Sequence, residues 1–438
     1  MNIDTLSIDS KYLFEQLCTA KKLVEGWREV RRNRGASGSD GQTIEAFEAQ
    51  LHEEIKRLRE ELINWTYEPQ PVRRVEIPKP DGSGEPRILG VPSVRDRVIQ
   101  TAIKQLLEPI LEPLFSDRSY GFRPGRNQQQ AIEAAQKIVQ SGKRYVADID
   151  LAKFFDRVNQ DRLIGRLGKV IEDKRIVRLV GKTLRSGAMQ DGVIIPTTSG
   201  TVQGSPLSPL LSNLVLDELD KELEKRGLEH CRFADDCNIF VRTPKAAERV
   251  MKSISEFIEK KLKLAINKTK SKVAESSLVK FLGMTIVEGT RAIAKKALSR
   301  AMAKVKELTP RGTHEKLEDT IERINSWYRG WSNYFSMTQY PSQLLTVEAH
   351  IRRRLRSRIV DQQKSRRNLF HKLIKRGVSR AKAATTSFSN KKRWALSHTH
   401  ALERAYPNRW FIRDMELQIR SNEKREHWFD IKKWIRLI

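Results

Sequence analysis

The stretch that decides the fold is CRFADDCNIFV, residues 231–241. It predicts two short apolar strands joined at a corner, with Asp235 and Asp236 in the connecting turn. Because neighbouring strand residues face opposite sides, only a tight turn lets both carboxylates serve one site. An adjacent Asp pair in a turn is usually solvated, but here the apolar flanks would bury its charge unless a cation compensates it.

A second strand predicted to carry carboxylates is YVADIDLAKFFD, residues 145–156, which puts Asp148 and Asp150 on one face ahead of Phe154 and Phe155. Two such strands side by side would bind Mg²⁺ through oxygen ligands and leave positions open for phosphate. Two ions about 3.5–4 Å apart can activate an attacking 3′-hydroxyl and stabilise a leaving pyrophosphate. The pattern therefore indicates polymerase chemistry.

The charge of the chain indicates a polyanionic partner. Its 438 residues hold 83 Lys and Arg against 54 Asp and Glu, a net charge of +29, and a chain of this length predicts two to four domains. Residues 341–438 alone carry 25 basic against eight acidic residues, with five arginines in IRRRLRSR at 351–358. A solvated helix face is the simpler interpretation of such a run, but its density favours contact with RNA or DNA.

Other classes of protein fit the sequence less well. No apolar run approaches the roughly 18–20 residues of a spanning helix, and the N-terminus lacks a signal-peptide pattern. Cys18, Cys231 and Cys237 lack CxxC spacing, so neither a zinc site nor a disulfide framework is expected. We expect a reduced, cytoplasmic protein with no membrane partner.

The periodicity predicts an α+β region to about residue 290 and an almost purely helical region beyond it. Strands are expected at Val72–Ile77, Arg87–Gly90, Tyr145–Asp150, Val193–Pro196 and around the 234–236 corner. Helices are expected at residues 9–30, 43–64, 94–114, 127–141, 159–186, 205–225 and 246–264.

Seven blocks stand in a fixed order along the chain: IPKPDGSGEPRILGVP (77–92), SYGFRPGRN (119–127), DIDLAKFFD (148–156), GTVQGSPLSPLLSN (200–213), FADD (233–236), NKTKS (267–271) and FLG (281–283). This order resembles the group II intron-encoded reverse transcriptase/maturase family. NRGASGSDG (33–41) resembles the N-terminal extension of that family, and INSWYRGWSNYF (324–335) its thumb or maturase region.

The resemblance implies a right-hand polymerase of α+β class, with a helical thumb and a basic helical C-terminal domain. We expect an N-terminal extension and the start of the fingers at 1–70, and fingers and palm at 71–290. A helical thumb/maturase domain is expected at 291–360, and a basic nucleic-acid-binding domain at 361–438.

Site residues follow from the matching motif positions. Asp150, Asp235 and Asp236 correspond to the metal-binding carboxylates of the palm, which leaves Asp148 as a neighbour. The residues expected to bind dNTP are Lys79 and Arg87 on the triphosphate, Phe155 under the sugar, Gln203 along the nascent base pair, and Lys270 as general acid for pyrophosphate. A bulky Phe155 would collide with a ribose 2′-hydroxyl and so favour dNTPs.

The chain departs from the family pattern at three positions. Phe233 replaces the usual Tyr, Val202 the usual Pro and Ser205 the usual second Gly. None of these changes removes a metal ligand. Ser205 is expected to add a hydroxyl beside the template or primer.

Arginines are expected to hold nucleic acid in both halves of the chain: Arg123, Arg126, Arg323, Arg329, Arg352, Arg353, Arg354 and Arg356. Ile321, Ile324, Tyr328, Trp331 and Phe335 step at helical spacing, and we favour core packing over base stacking for them. Trp394, Trp410, Trp428 and Trp434 fit either base stacking or the core of a small helical domain.

The expected activity is RNA-directed DNA polymerisation with two Mg²⁺ ions, or Mn²⁺, on an RNA template with a DNA or RNA primer and dNTPs. The resemblance also implies intron RNA binding, splicing assistance, a DNA target and retrohoming as a mobile element. The absence of an endonuclease-like tail resembles the compact class C proteins. Two alternatives stay open: a freestanding relative in DNA repair, and an RNA-binding splicing cofactor only.

Overall fold

The computed structural model describes residues 10–78, 86–190, 193–195, 199–310, 312–363 and 365–420. Contacts divide the chain into two compact units, Met1–Glu275 and Ser276–Ile438. The finer division into four segments stays a prediction.

The first unit mixes helices with two sheets. Its helices are α1 (Leu13–Leu17), α2 (Ala20–Asn33), α3 (Ile44–Ala49), α4 (Leu51–Ile63), α5 (Val94–Leu111), α6 (Gln128–Gln140), α7 (Phe154–Arg157), α8 (Gln160–Val170), α9 (Lys174–Leu184), α10 (Ser208–Lys225) and α11 (Pro244–Phe257). Its strands are β1 (Val72–Ile77), β2 (Arg87–Val91), β3 (Tyr145–Ile149), β4 (Ala188–Gln190), β5 (Val193–Ile195), β6 (Glu229–Phe233), β7 (Asp236–Val241) and β8 (Lys272–Glu275).

One antiparallel sheet carries the acidic motifs, with strand order β6-β7-β3-β8. Between β3 and β7 the last pair is Ile149 opposite Cys237, and between β6 and β7 it is Phe233 opposite Asp236. The residue that follows β3, Asp150, therefore lies at the end of the sheet where the 234–235 turn connects β6 to β7.

The other sheet has the order β2-β1-β4-β5. β1 and β2 form the predicted antiparallel hairpin, closing at Ile77 opposite Arg87, while β1 and β4 run parallel. The tip of this hairpin, residues 79–85, lies outside the described residues.

Several predicted helices differ in the structure. The segment 9–30 is divided into α1 and α2, where Thr19 caps α2 by accepting from the Lys22 amide at 3.2 Å, and the segment 43–64 is divided into α3 and α4 at Gln50. The segment 159–186 is divided into α8 and α9, because Asp173 caps α9 by accepting from the Arg175 amide at 3.1 Å and also accepts from the Phe14 amide at 2.9 Å. The segment 246–264 starts as α11 and ends in a π-helical turn, Ile258–Leu262. Ile254, Ile258 and Leu262 are buried on its predicted apolar face.

The second unit begins with a hairpin that the sequence did not predict, β9 (Met284–Val287) and β10 (Thr290–Ile293). Its helices are α12 (Lys295–Leu308), α13 (Leu317–Tyr334), α14 (Ser342–Asp361), α15 (Arg366–Lys375), α16 (Arg380–Ser387), α17 (Arg393–Leu396), α18 (His400–Ala405) and α19 (Asn408–Arg413). Among the described helices of the whole chain, none is long and apolar enough to cross a membrane.

One hydrophobic core serves this second unit. The predicted stripe on α13 is confirmed as core, since Ile321, Ile324 and Tyr328 are buried. Leu369 of α15 and Phe411 of α19 belong to the same cluster. The basic segment after residue 361 is therefore packed into the core to which α13 and α14 also contribute.

Candidate active site

The paired acids lie where β6 turns into β7: Asp235 is the second residue of the two-residue turn, and Asp236 begins β7. Ala234 has a φ of +55°, a left-handed conformation that side chains other than glycine seldom adopt. Asp235 is half-buried, and Asp236, the first residue of β7, is exposed. The predicted corner is thus confirmed, with the two carboxylates in different surroundings.

The backbone of Asp150 is clasped by the loop that follows α11. The Asp150 amide donates to Ser271 Oγ at 3.0 Å, and the Asn267 amide donates to the Asp150 carbonyl at 2.8 Å. Both partners belong to the NKTKS block at residues 267–271. The sequence singled out only Lys270 in that block, and the anchoring of Asp150 by its neighbours was missed.

Electrostatics link four of the predicted residues. Burial raises the pKa of Asp235, the charge of Asp150 raises it further, and the charges of Arg87 and Lys270 oppose the rise. Lys270 Nζ lies 4.0 Å from Asp150 Oδ2. Because the charge of Asp150 disfavours the ionised form of Asp235, an added cation at this site would favour that ionised form.

The groups at this site that could bind a divalent ion are the carboxylates of Asp150, Asp235 and Asp236. Carboxylate oxygens are the ligands that Mg²⁺ prefers. No group of three or more His, Cys, Asp or Glu in the described parts of the chain is close enough to hold a metal as it stands. The structure places Asp150 near enough to Asp235 for its charge to act on that carboxyl, and Asp236 lies at the same end of the sheet.

Phe155 lies in α7, directly beyond the Asp150 strand. Its backbone carbonyl accepts from the Thr201 amide at 2.6 Å. A Cβ on Gly200 would come within 2.7 Å of the same oxygen, so a glycine is needed for this approach. The Phe155 ring is half-buried and meets Phe154 edge to face, with centroids 5.4 Å apart.

The loop that carries Gln203 is attached to strand β2. The Gly90 amide donates to the Gln203 carbonyl at 2.8 Å, and a Cβ on Gly204 would lie 2.5 Å from the Gly90 carbonyl oxygen. Gly204 has a φ of +118°, which also requires glycine. The loop therefore stays in register with the strand that begins at Arg87.

Ser205 does not behave as the sequence suggested. Its hydroxyl donates to the buried Gln100 Oε1 at 2.8 Å and accepts from the Leu207 amide at 3.3 Å. The side chain is 7% exposed. The expectation of a hydroxyl beside the template or primer is therefore corrected: it faces the protein interior.

The sequence also matches models of known families. Residues 77–286 match the reverse transcriptase (RNA-dependent DNA polymerase) model, and residues 298–377 match the group II intron maturase-specific domain. The chain belongs to the group II intron reverse transcriptase/maturase family. The predicted family, enzyme class and right-hand polymerase fold are thereby confirmed.

Individual relatives support the assignment. The chain is 33% identical over 291 residues to Protein YkfC of Escherichia coli (strain K12), covering 57% of this chain and 76% of that protein. It is 38% identical over 197 residues to Group II intron-encoded protein LtrA of Lactococcus lactis subsp. cremoris, covering 44% of this chain and 32% of LtrA. This reverse transcriptase thus spans about a third of the length of LtrA.

Among solved structures, a chain of a partial Cas6-RT-Cas1–Cas2 complex matches at 25% identity. The match has a TM-score of 0.38 and covers 56% of this chain and 42% of that one.

Within this reverse transcriptase, two of the predicted nucleic-acid-binding arginines are buried. Arg123 donates to Glu112 and to the Ser119 carbonyl, and it is 7% exposed. Arg356 donates to the Tyr406 carbonyl at 3.0 Å and is 6% exposed. Because these guanidinium groups are occupied inside the protein, we correct the prediction and remove both from the nucleic-acid surface.

Other arginines of the set are also engaged by the protein. Arg126 pairs with Asp117, Arg323 with Glu315, and Arg329 donates to Gln418. Arg354 donates to Thr309. Arg352, half-buried, lies near Glu348, whose charge opposes the lowering of the arginine's pKa by burial.

Two of the four C-terminal tryptophans, Trp394 and Trp410, stack against arginine side chains. Arg353 lies over the Trp394 ring, 4.0 Å from its centroid, and Arg376 over Trp410 at 4.4 Å. Both rings are half-buried, and Trp410 packs against the core. Lys79, Trp428 and Trp434 lie outside the described residues.

Proposed function

We propose that this chain extends a DNA or RNA primer along an RNA template with dNTPs, using two Mg²⁺ ions held by Asp150, Asp235 and Asp236. The observation that carries the proposal is that the charges of Asp150, Arg87 and Lys270 all act on Asp235, with Lys270 Nζ 4.0 Å from Asp150 Oδ2. A site with partly exposed carboxylates and adjacent basic side chains suits a substrate that brings both phosphate and divalent metal.

Roles follow from the surroundings of each residue. When bound, the ions would lower the pKa of the primer 3′-hydroxyl and neutralise charge on the leaving pyrophosphate. Arg87, with Lys79, would hold the triphosphate, and Lys270 would give a proton to pyrophosphate. Phe155 would lie under the sugar and exclude a 2′-hydroxyl, while Gln203, fixed to β2, would lie along the new base pair.

Substitution at the paired acids tests the polymerase. Asp235→Asn should lower dNTP incorporation on an RNA template by more than about a thousandfold, equivalent to about 4 kcal/mol in the barrier. Binding of the primer–template in the absence of metal should persist. The matched control is Asp148→Asn, on β3 two residues before Asp150, which should stay within about threefold of the parent. Undiminished extension by Asp235→Asn would sink the metal assignment.

A maturase role is the second proposal, favoured by the match of residues 298–377 to the maturase-specific domain. We propose that the chain binds intron RNA and assists splicing in the cytoplasm, and that it also takes part in retrohoming into DNA. The quick check is to fold the nucleotide sequence around the reading frame and look for intron catalytic domains. Without them the splicing proposal fails and a freestanding repair enzyme becomes the better description.

A further inference from the structure

We propose that the buried pair Arg232–Asp220, together with Asn213, is a positioning device for the metal-binding turn. The proposal rests on the function proposed above. Arg232 and Asp220 are both fully buried. Arg232 Nε donates to Asp220 Oδ1 at 2.8 Å, and Nη2 donates to Oδ2 at 2.6 Å, the two-point geometry that makes such pairs strong.

The remaining arm of the guanidinium holds the turn itself. Arg232 Nη1 donates to the Ala234 carbonyl at 2.8 Å and to Asn213 Oδ1 at 3.1 Å. That carbonyl belongs to the peptide group immediately before Asp235. The hydrogen bond from Arg232 therefore stabilises the strained left-handed conformation of Ala234. That conformation sets the direction in which the Asp235 carboxylate points.

Asn213 connects the same guanidinium to the loop behind the turn. Its Nδ2 donates to the Gly121 carbonyl at 2.8 Å. A Cβ at Gly121 would lie 2.3 Å from the Ala234 amide nitrogen, so the loop packs directly on the turn. The Tyr120 amide also donates to the Arg232 carbonyl at 2.9 Å. The turn is thus contacted at the Ala234 carbonyl by Arg232 and at the Ala234 amide by Gly121.

The charges in this network are matched. Burial alone would raise the pKa of Asp220, but the charge and hydrogen bonds of Arg232 lower it to about 2. His230 Nε2 lies 3.5 Å from Asp220 Oδ1. The carboxylate therefore stays ionised and holds the guanidinium in one orientation, which is what a fixed contact to Ala234 needs.

A second buried carboxylate, whose described ion pairs lie away from the turn, is available for comparison on the same helix. Asp217 of α10 is also buried, and it pairs with Arg166 at 2.6 Å and Lys221 at 2.7 Å. In the described contacts of these two bases, neither reaches the turn. Substitution of Asp217 therefore removes a buried ion pair alone, whereas substitution of Asp220 also removes the support of the turn.

The experiment compares Asp220→Asn with Asp217→Asn in the full-length chain, at temperatures where both remain folded by circular dichroism. Asp220→Asn should speed hydrogen–deuterium exchange in the peptide spanning 230–238 at least fivefold. It should also raise the Mg²⁺ concentration for half-maximal extension about fivefold to tenfold, and leave metal-free primer–template affinity unchanged. Asp217→Asn should leave both the exchange and the Mg²⁺ requirement at parent values.

Asn213→Ala is the second variant, because it keeps the Arg232–Asp220 pair intact and so avoids an uncompensated buried charge. It should shift exchange and Mg²⁺ requirement in the same direction as Asp220→Asn. The proposal is overturned if Asn213→Ala matches the parent in both readouts, or if Asp217→Asn changes them as much as Asp220→Asn. If the parent itself does not extend primers, the polymerase proposal fails, and the exchange measurement alone then decides the positioning role.

Discussion

Ser205 shows how a single departure from a family pattern is accommodated. Its hydroxyl supplies a hydrogen bond to the buried Gln100 Oε1. Ser205→Ala should therefore lower the free energy of unfolding by about 1–3 kcal/mol, because a buried acceptor loses its donor. Urea denaturation measures this loss. Ser199→Ala, at an exposed serine six positions earlier, should change stability by less than about 0.5 kcal/mol; similar losses in both variants would contradict the explanation.

Phe155 allows a test of sugar selection. Phe155→Val should lower the preference for a dNTP over the matching rNTP at least about tenfold, equivalent to about 1.4 kcal/mol, because the ring no longer fills the space a 2′-hydroxyl would need. The ratio of kcat/KM values for dCTP and CTP measures the preference. Phe154→Leu alters the buried neighbour instead and should destabilise the fold while keeping the ratio. An unchanged ratio in Phe155→Val would remove the gate role.

Sequence reasoning predicted residues such as these unequally. Asp150 and Asp235 could be proposed because each stands in a short local motif with a chemical reason for a carboxylate, and Phe155 because its motif matches the family pattern. The contact of Ser205 was missed, since its partner lies 105 positions away and only the fold brings the two together. Arg232 was overlooked for a different reason: beside an acidic motif, an arginine is easily interpreted as a solvated flanking charge.

At the scale of elements, α14 was predicted least well. Five arginines in eight residues suggested a phosphate-binding face. In the structure Ile351 and Leu355 enter the core, while Arg356 and Arg358 are also buried against neighbouring segments. Charge density along a sequence does not reveal which other segments surround a helix, so local periodicity could not show that these arginines join the helices of the second unit.

Arg356→Ala tests this interpretation of α14. The change should lower the free energy of unfolding by about 1.5–3 kcal/mol, because a charged donor to the buried Tyr406 carbonyl is lost. The salt dependence of RNA binding should stay unchanged. Arg367→Ala, at an exposed arginine of α15, should do the opposite: stability stays within about 0.5 kcal/mol and the slope falls by at most about one. A lower slope for Arg356→Ala would restore the phosphate role.

The stability that the Asp220–Arg232 pair contributes between α10 and β6 should depend on pH. The folded pKa of Asp220, about 2, is below the ordinary value of 3.8, so the stability it contributes is present above about pH 4 and is lost as pH falls towards 2. The shift corresponds to about 2 kcal/mol at neutral pH. Urea denaturation at pH 6, 4 and 3 should therefore show that the difference in the free energy of unfolding between the parent and Asp220→Asn becomes smaller as the pH falls.

Asp217 should show the opposite pH dependence of stability. Burial raises its pKa, so ionised Asp217 costs stability above its ordinary pKa, and this cost fades as pH falls. The gap between parent and Asp217→Asn should therefore not narrow over the same range. A gap for Asp220→Asn that stays constant down to pH 3 would mean that the carboxylate is not held by Arg232 as described.

For the whole molecule, the net charge of +29 has to be divided between structure and binding. Removing the basic segment after residue 361 would not measure this division, because Leu369, Leu402 and Phe411 from that segment complete the core of the second unit. Truncation would disrupt the core of the second unit and so also the basic surface that it was meant to test. Exposed charges therefore have to be neutralised in place, on helices that keep their buried faces.

Replacing Lys372, Lys375, Lys382 and Lys391 together by Gln does this, since all four are exposed. If these groups contact phosphate, the slope of log affinity against log salt concentration for RNA should fall by up to about three, at roughly 0.7–0.9 for each lost contact. The matched control replaces the exposed Lys245, Lys252, Lys260 and Lys261 of the first unit, removing the same charge. Long-range attraction alone would lower both slopes equally, because it depends on net charge. A larger fall for the first set means that the C-terminal segment binds nucleic acid directly.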